Sequence, residues 1–319
     1  MSVDLGGFYD RIQEARDRIK GVASRTPLVE APALSKRFGR QVYLKLECYQ
    51  PIRVFKIRGA FNKVSQVSAG GVVAASSGNH GIAVAYSARR LSKKCTVVVP
   101  ETAVQEKVSA ITELGAEVVK FGRFSNEREA KARELAKSRG EFVHPFDDPA
   151  VIAGQGTCGL EISEQLGEFD SVVVPVGGGG LISGISVAVK AMNPSAKIFG
   201  AEPVGASKLG PSLKQGKRVV VDSPKSVADG LLPNSVGELP FMLSQGRVAG
   251  TFEVSDDEII EAMKLLIHDA HVVAEPSGAA PLAALLTGRG VEMLGERVVL
   301  VISGGNVSLS LLRKILGES

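Results

Sequence analysis

Apolar residues recur along the chain in two alternating rhythms. Phe8, Ile12, Ala15 and Ile19 fall three or four apart, which puts them on one helical face, and Gly21 ends that run. Short apolar blocks follow at 42–46, 71–75, 95–99, 117–119, 142–143, 171–176, 197–201 and 297–302, and these read as strands. Between them, 57–68, 79–91, 103–115, 126–139, 181–192, 276–288 and 307–316 read as helices. Ser255 opens a further helix, with Asp256, Asp257 and Glu258 in the first turn, where carboxylates complement the helix dipole. Thr26-Pro27 to Ala31-Pro32 reads as a connection, and 203–250 carries scattered Gly and Pro without a regular pattern. The alternation predicts an α/β chain with two open, mostly parallel sheets, one near 71–149 and one over 150–319. Ligands of such sheets sit beyond the carboxyl ends of the strands.

Composition narrows the field. Of 319 residues, 44% are hydrophobic, enough for a real core, and with no Trp and 5% aromatics that core must be aliphatic. The 38 basic and 34 acidic residues are evenly spread, with no basic stripe interleaved with aromatics, which argues against a nucleic-acid partner. Cys48, Cys95 and Cys158 are far apart and form no C-x-x-C pair, so neither a disulfide framework nor a zinc site is expected. No cationic apolar leader and no membrane-length apolar run is present, so a soluble cytoplasmic protein is expected.

Four segments carry the candidate chemistry. Gly177–Gly180 follows V-V-V-P-V and precedes a helix, so successive amides can converge on one anion. The dinucleotide fingerprint fails at Ile182 and Ser183, and no G-K-[ST] follows, so a phosphate monoester fits better than a pyrophosphate. S-S-G-N-H-G at 76–81 sits between a strand and a helix and suits a carboxylate and a phenolic oxygen, although Ser77 or Asn79 could equally cap the helix. Ser303, in S-G-G-N at 303–306, is either a partner for a ring nitrogen or a helix cap. Lys56, within P-I-R-V-F-K-I-R-G-A at 51–60, supplies the amine. Together these segments offer a nucleophile, a phosphate cradle and polar groups for a flat heterocycle. Glu275 before Pro276 reads as a first-turn carboxylate. His268 and His271 share a helix face without a third ligand, so no metal is expected there, and His144 reads as structural.

Taken together, these residues resemble the fold-type II pyridoxal-phosphate enzymes, related to the tryptophan synthase β subunit. Within them the likeness is to the threonine/serine dehydratases and eukaryotic-type serine racemases. It spans nearly the whole chain: L-K-L-E at 44–47, F-K-I-R-G-A at 55–60, S-S-G-N-H-G, V-I-A-G-Q-G-T at 151–157, V-P-V-G-G-G-G-L at 174–181, A-E-P at 201–203, A-D-G at 228–230, E-P-S-G-A at 275–279 and S-G-G-N. The resemblance implies pyridoxal 5'-phosphate as cofactor, joined to Lys56 with Phe55 against its ring. Asn79 would meet the phenolic oxygen, and Ser303 the pyridine nitrogen. The amides of Gly177, Gly178, Gly179, Gly180 and Leu181 would hold the phosphate, and Glu275 belongs to the same cofactor site. Ser76, Ser77, Asn79 and His80 would surround the substrate carboxylate, with Arg128 near the substrate.

The implied activity is elimination of water from L-threonine or L-serine, with Lys56 as base. The implied alternative is an amino-acid racemase, with Ser77 as second base on the opposite face. A β-replacement enzyme or a threonine synthase is a more distant possibility. The resemblance also implies a homodimer, a large cofactor domain of 1–65 and 150–319, and a small mobile substrate domain of 66–149. Two departures stand out. Ile52-Arg53-Val54 replaces the family's T-G-S, removing two hydroxyls and adding a charge. The cation site of racemase-like members maps to Glu202, Ala206 and Lys208, where an ammonium disfavours a metal and is expected to pair with Glu202. No added regulatory C-terminal domain is seen, so isoleucine feedback is not expected.

Overall fold

The computed structural model describes residues 7–317 apart from 77, 104 and 124. Its strands are β1 (Leu28–Glu30), β2 (Gln41–Leu46), β3 (Gly71–Ala75), β4 (Lys94–Val99), β5 (Glu117–Lys120), β6 (Glu141–Phe142), β7 (Ser171–Pro175), β8 (Lys197–Pro203), β9 (Val248–Val254) and β10 (Arg297–Ile302). They form two sheets. The larger runs β1-β2-β10-β7-β8-β9 and is parallel except for the antiparallel β1–β2 pair at its edge. The smaller runs β5-β4-β3-β6 and is parallel throughout. The expected α/β class with two open, mostly parallel sheets is the observed one.

The unbroken apolar runs follow from helices covering both faces. In β10, Val298, Leu300 and Ile302 enter a core shared with helices Asp256–Ala270 and Pro276–Leu286, while Val299 and Val301 enter the opposite core under helix Gly180–Met192. The small sheet repeats the device: Val72 and Ala74 face one core, Val73 the other.

Helix Lys56–Ser65 links the two sheets. Ala60 and Val64 join the core of the small sheet, while Gly59 backs onto helix Pro149–Leu166, where a Cβ would stand 2.5 Å from Val151 O. The sequence pattern did not predict that second helix. It is buried on all sides from Val151 to Leu160, so it has no amphipathic stripe. Its glycines serve close contacts: Gly154 abuts Gly59 Cα, Gly156 abuts Ile12 and Gly159 abuts Ile185. Asp148 starts it, its carboxylate accepting from the Ala150 and Val151 amides.

Other expectations need correction. Pro32 opens helix Pro32–Phe38 rather than a connection, and the region without pattern contains helices Leu209–Gln215 and Glu238–Ser244 and strand β9. The helix expected at 103–115 is shorter, Gln105–Thr112. Ser255 caps its helix as expected, in a full capping box with Glu258.

Candidate active site

Lys56 is the first residue of its helix, with Phe55 at the cap position. The Phe55 N–H donates to Ser303 O at 3.0 Å, and Val54 bridges Gly304. The amine therefore grows from a segment laid against S-G-G-N, just beyond the end of β10. Lys56 Nζ donates to Pro145 O at 2.7 Å and stands 5.2 Å from the Phe55 ring centroid. Burial pushes its pKa down to about 8, opposed by the charge of Glu275.

Pro145 leads directly to the glycine turn. A Cβ on Gly178 would collide with the Phe146 ring, and one on Gly180 would stand 3.0 Å from Phe146 O. A Cβ on Gly177 would stand 2.8 Å from Gly230 O. Gly179 has φ 88°, a left-handed conformation, at the cap of helix Gly180–Met192. The amides of Gly177 through Leu181 donate to no described residue. Free donors in series at the start of a helix fit a phosphate. The Leu181 side chain is buried in the core, so only its amide is available to a ligand.

Glu275 is buried, and its side chain does not cap the helix it precedes. Instead Oε1 accepts from Asn79 Nδ2 at 2.7 Å, and Asn79 Oδ1 accepts from Asn306 Nδ2 at 2.8 Å. Asn306 Nδ2 also reaches Ile52 O at 3.1 Å. This chain of bonds joins S-S-G-N-H-G to S-G-G-N and fixes which way the Asn79 amide points. One Asn79 N–H is left over for a ligand. Burial raises Glu275 to about 7, partly offset by Asn79. Neither Asn79 nor Ser303 is a cap: Gly78 and Ser308 occupy the cap positions of the neighbouring helices. Ser303 is buried, and its hydroxyl engages no described residue.

His80 is buried and bonded through Nε2 to Val143 O at 2.9 Å. A carbonyl only accepts, so Nε2 carries the proton and Nδ1 is the free acceptor. Burial, followed by the charge of Lys56, pushes its pKa to about 3, so the ring is neutral. Ser76 Oγ accepts from the Gly78 amide at 3.2 Å. Ser77 lies outside the described residues. Arg128 is half-buried in helix Ser125–Arg139, and its described bond, to Arg123 O at 2.9 Å, stays beside its own helix.

Sequence reasoning missed the foundation of the site. Arg58, fully buried, donates to Glu47 (2.7 and 2.7 Å), Glu161 (2.6 and 2.8 Å), Thr157 and Ser24 O. Lys45, also fully buried, donates to Glu161 at 2.6 Å, Thr26 O and Gln165. Two cations and two carboxylates thus lock the first turn of the Lys56 helix to β2 and to helix Pro149–Leu166. Polar residues inside the apolar patterns of 44–47 and 149–166 were the available signal. Phe146, which shapes the turn, carried none.

A helix-borne amine, a row of free amides at a helix start and a bonded asparagine pair, gathered near the carboxyl ends of parallel strands, suit an enzyme that binds a phosphorylated carbonyl cofactor. The chain belongs to the pyridoxal-phosphate dependent enzymes, whose family description matches residues 19–304, and its cofactor is pyridoxal 5'-phosphate. It is 42% identical over 312 residues to an L-threonine ammonia-lyase of Thermotoga maritima, covering 96% of this chain and 77% of that protein. It is 40% identical over 313 residues to a serine racemase of Dictyostelium discoideum, covering 96% of each. The solved structure of maize serine racemase superposes with a TM-score of 0.91 at 34% identity, covering 97% of this chain and 96% of that one. Among the described residues no helix is long and apolar enough to cross a membrane.

Proposed function

We propose that this enzyme eliminates water from L-threonine or L-serine and that the released enamine then takes up water, yielding 2-oxobutanoate or pyruvate and ammonia. The observation that carries the reading is the junction at Pro145-Phe146, where the Lys56 amine and the glycine turn meet. Bound pyridoxal phosphate supplies an electron sink for charge developing at the substrate α-carbon. Lys56 is the residue that would anchor it, and its Nζ is the base that would take the α-proton. A lysine lowered to about 8 keeps a larger neutral fraction near pH 7 than a free one. The free amides of Gly177–Leu181 would hold the phosphate, with Phe55 beside the cofactor ring. Asn79, fixed by Glu275 and Asn306, offers its remaining N–H to the phenolic oxygen. Ser303 would meet the ring nitrogen with a neutral hydroxyl, which would support loss of the β-hydroxyl over transamination. Ser76, Ser77 and neutral His80 surround the substrate carboxylate, and Arg128 stands by as a further cation.

Relatives named serine racemase support a second reading, in which Ser77 acts as a base on the opposite face. One assay separates the two: incubate L-threonine and L-serine with holoenzyme, then measure 2-oxo acid and inverted isomer together. The elimination reading expects 2-oxo acid in excess, and accumulation of D-serine alone would overturn it. In the Ser77→Ala variant, racemisation is expected to fall by more than elimination of the L-isomer.

We also read 66–149 as a substrate domain moving against 1–65 and 150–319. Asn79–Glu275, Lys63–Asp148 (3.2 Å) and Lys107–Asp229 (2.9 Å) are among the polar ties that cross this boundary. A cytoplasmic homodimer completes the proposal, and three buried free thiols suit a reducing compartment.

A further inference from the structure

Lys208 is a fully buried cation that no step above uses. It follows the end of β8, where Glu202, fully buried too, accepts from the amides of Lys208 (3.0 Å), Leu209 (2.8 Å) and Gly210 (2.9 Å). The carboxylate is thus occupied by main chain, and the expected direct pair with the ammonium does not form. Lys208 Nζ instead donates to two carbonyls, Ala206 O at 2.6 Å and Leu231 O at 3.0 Å. Burial pushes its pKa down to about 8, opposed by Glu202.

The second carbonyl gives the arrangement its consequence. Leu231 ends the turn Asp229–Leu231, and that turn is the wall behind the glycine cradle. Gly230 O would stand 2.8 Å, and Leu231 Cα 3.5 Å, from a Cβ on Gly177. On its other side the turn is tied to helix Pro276–Leu286, where the Gly230 amide donates to Ser277 Oγ at 3.1 Å. One ammonium therefore spans the end of β8 and the wall of the phosphate seat, as a cation coordinated by main-chain carbonyls would.

We propose that Lys208 is a positioning residue for cofactor retention, a tethered cation that keeps the 229–231 turn against Gly177 and makes the cradle independent of any free cation. The inference rests on the glycine turn being the phosphate seat. It concerns the hold on cofactor rather than the chemistry, because Lys208 touches neither the amine nor the row of free amides.

The test measures pyridoxal phosphate dissociation from wild type, Lys208→Ala and Lys208→Met by absorbance, with thermal unfolding of each apoprotein alongside. Loss of bonds from a buried charged donor is expected to weaken cofactor binding by about tenfold or more. Methylammonium or potassium is expected to restore binding in Lys208→Ala, whose vacated space keeps both carbonyls and the Glu202 charge. Lys208→Met fills that space and is expected to resist rescue. Unaltered cofactor affinity in folded Lys208→Ala would overturn the proposal, as would weakened affinity that no cation restores. Should neither variant fold, the wild type decides: its cofactor affinity is expected to be equal in chelator and in magnesium or potassium, and a cation-dependent affinity would overturn the idea. Gly179→Ala is the control for the seat itself. If that variant holds cofactor as tightly as wild type, the phosphate reading fails, whatever Lys208 does.

Discussion

Two basic residues two positions apart on one helical turn meet opposite fates. Arg58 is buried among carboxylates and carbonyls that take up its guanidinium, and against the cost of burial Glu47 and Glu161 hold its charge well above the ordinary range. Lys56 has a single carbonyl partner, and burial pulls it down to about 8. The carboxylates divide the same way. Glu47, with Arg58 and Lys45 beside it, is held below the usual range although burial acts to raise it, while Glu275, bonded to neutral Asn79, rises to about 7. Desolvation acts on all four, and pairing decides the outcome. A saturated ionic floor ties the turn down; two residues away the amine and Glu275 lack such pairing, and burial disfavours the charged form of each.

Removing the amine should break the contrast most completely. Lys56→Ala is expected to reduce turnover to background and to abolish the absorbance band of lysine-bound cofactor, leaving the apoprotein folded by circular dichroism. Next in size is the floor. Arg58→Met strips buried Glu47 of its guanidinium partner and leaves Glu161 to Lys45 alone, and urea unfolding is expected to register a loss of about 3–5 kcal/mol.

Glu275→Gln sharpens the comparison through pH. In the wild-type apoprotein Glu275 binds its proton more tightly folded (about 7) than at the ordinary value of 4.5, so its contribution to stability is lost as pH rises from 4.5 to 7. The neutral variant lacks that loss. Its stability relative to wild type is expected to improve by roughly 1–3 kcal/mol between pH 4.5 and pH 8, and a pH-independent difference would refute the assignment. Lys56 adds the opposite slope at higher pH: its unfolded form binds the proton more tightly, so stability rises from about 8 to 10.5 in protein that retains the amine.

The smallest expected effect is at the rim. Arg53 is exposed and holds φ 58°, left-handed strain that glycine would relieve. Its amide donates to Gln50 O and its carbonyl accepts from the Gly305 amide, so the backbone is clamped there. Arg53→Gly is expected to raise apoprotein stability by about 1 kcal/mol in thermal unfolding.

What the sequence disclosed follows the same division. The central parallel strands were legible because both of their faces are covered, whereas half-exposed β9 was not, and Lys56, Gly177–Gly180 and Ser303 could be named as candidates from the reactive or permissive residue types in their segments. Helix Pro149–Leu166 was hidden, since Gly154, Gly156 and Gly159 serve contact rather than periodicity. The Arg58 network was hidden because its partners are scattered from Ser24 to Glu161 and only folding brings them together. Glu275 looked like a helix-start carboxylate, and only its bond to Asn79 shows otherwise.

The central claim is that one amine and one glycine turn hold a single cofactor between them. Borohydride reduction of holoenzyme, followed by peptide mapping, tests it most directly. The account predicts a pyridoxyl group on Lys56 and on no other lysine, with labelling lost when Gly179→Ala disrupts the turn. A label on any other lysine, or full labelling of Lys56 in that variant at limiting cofactor, would contradict it.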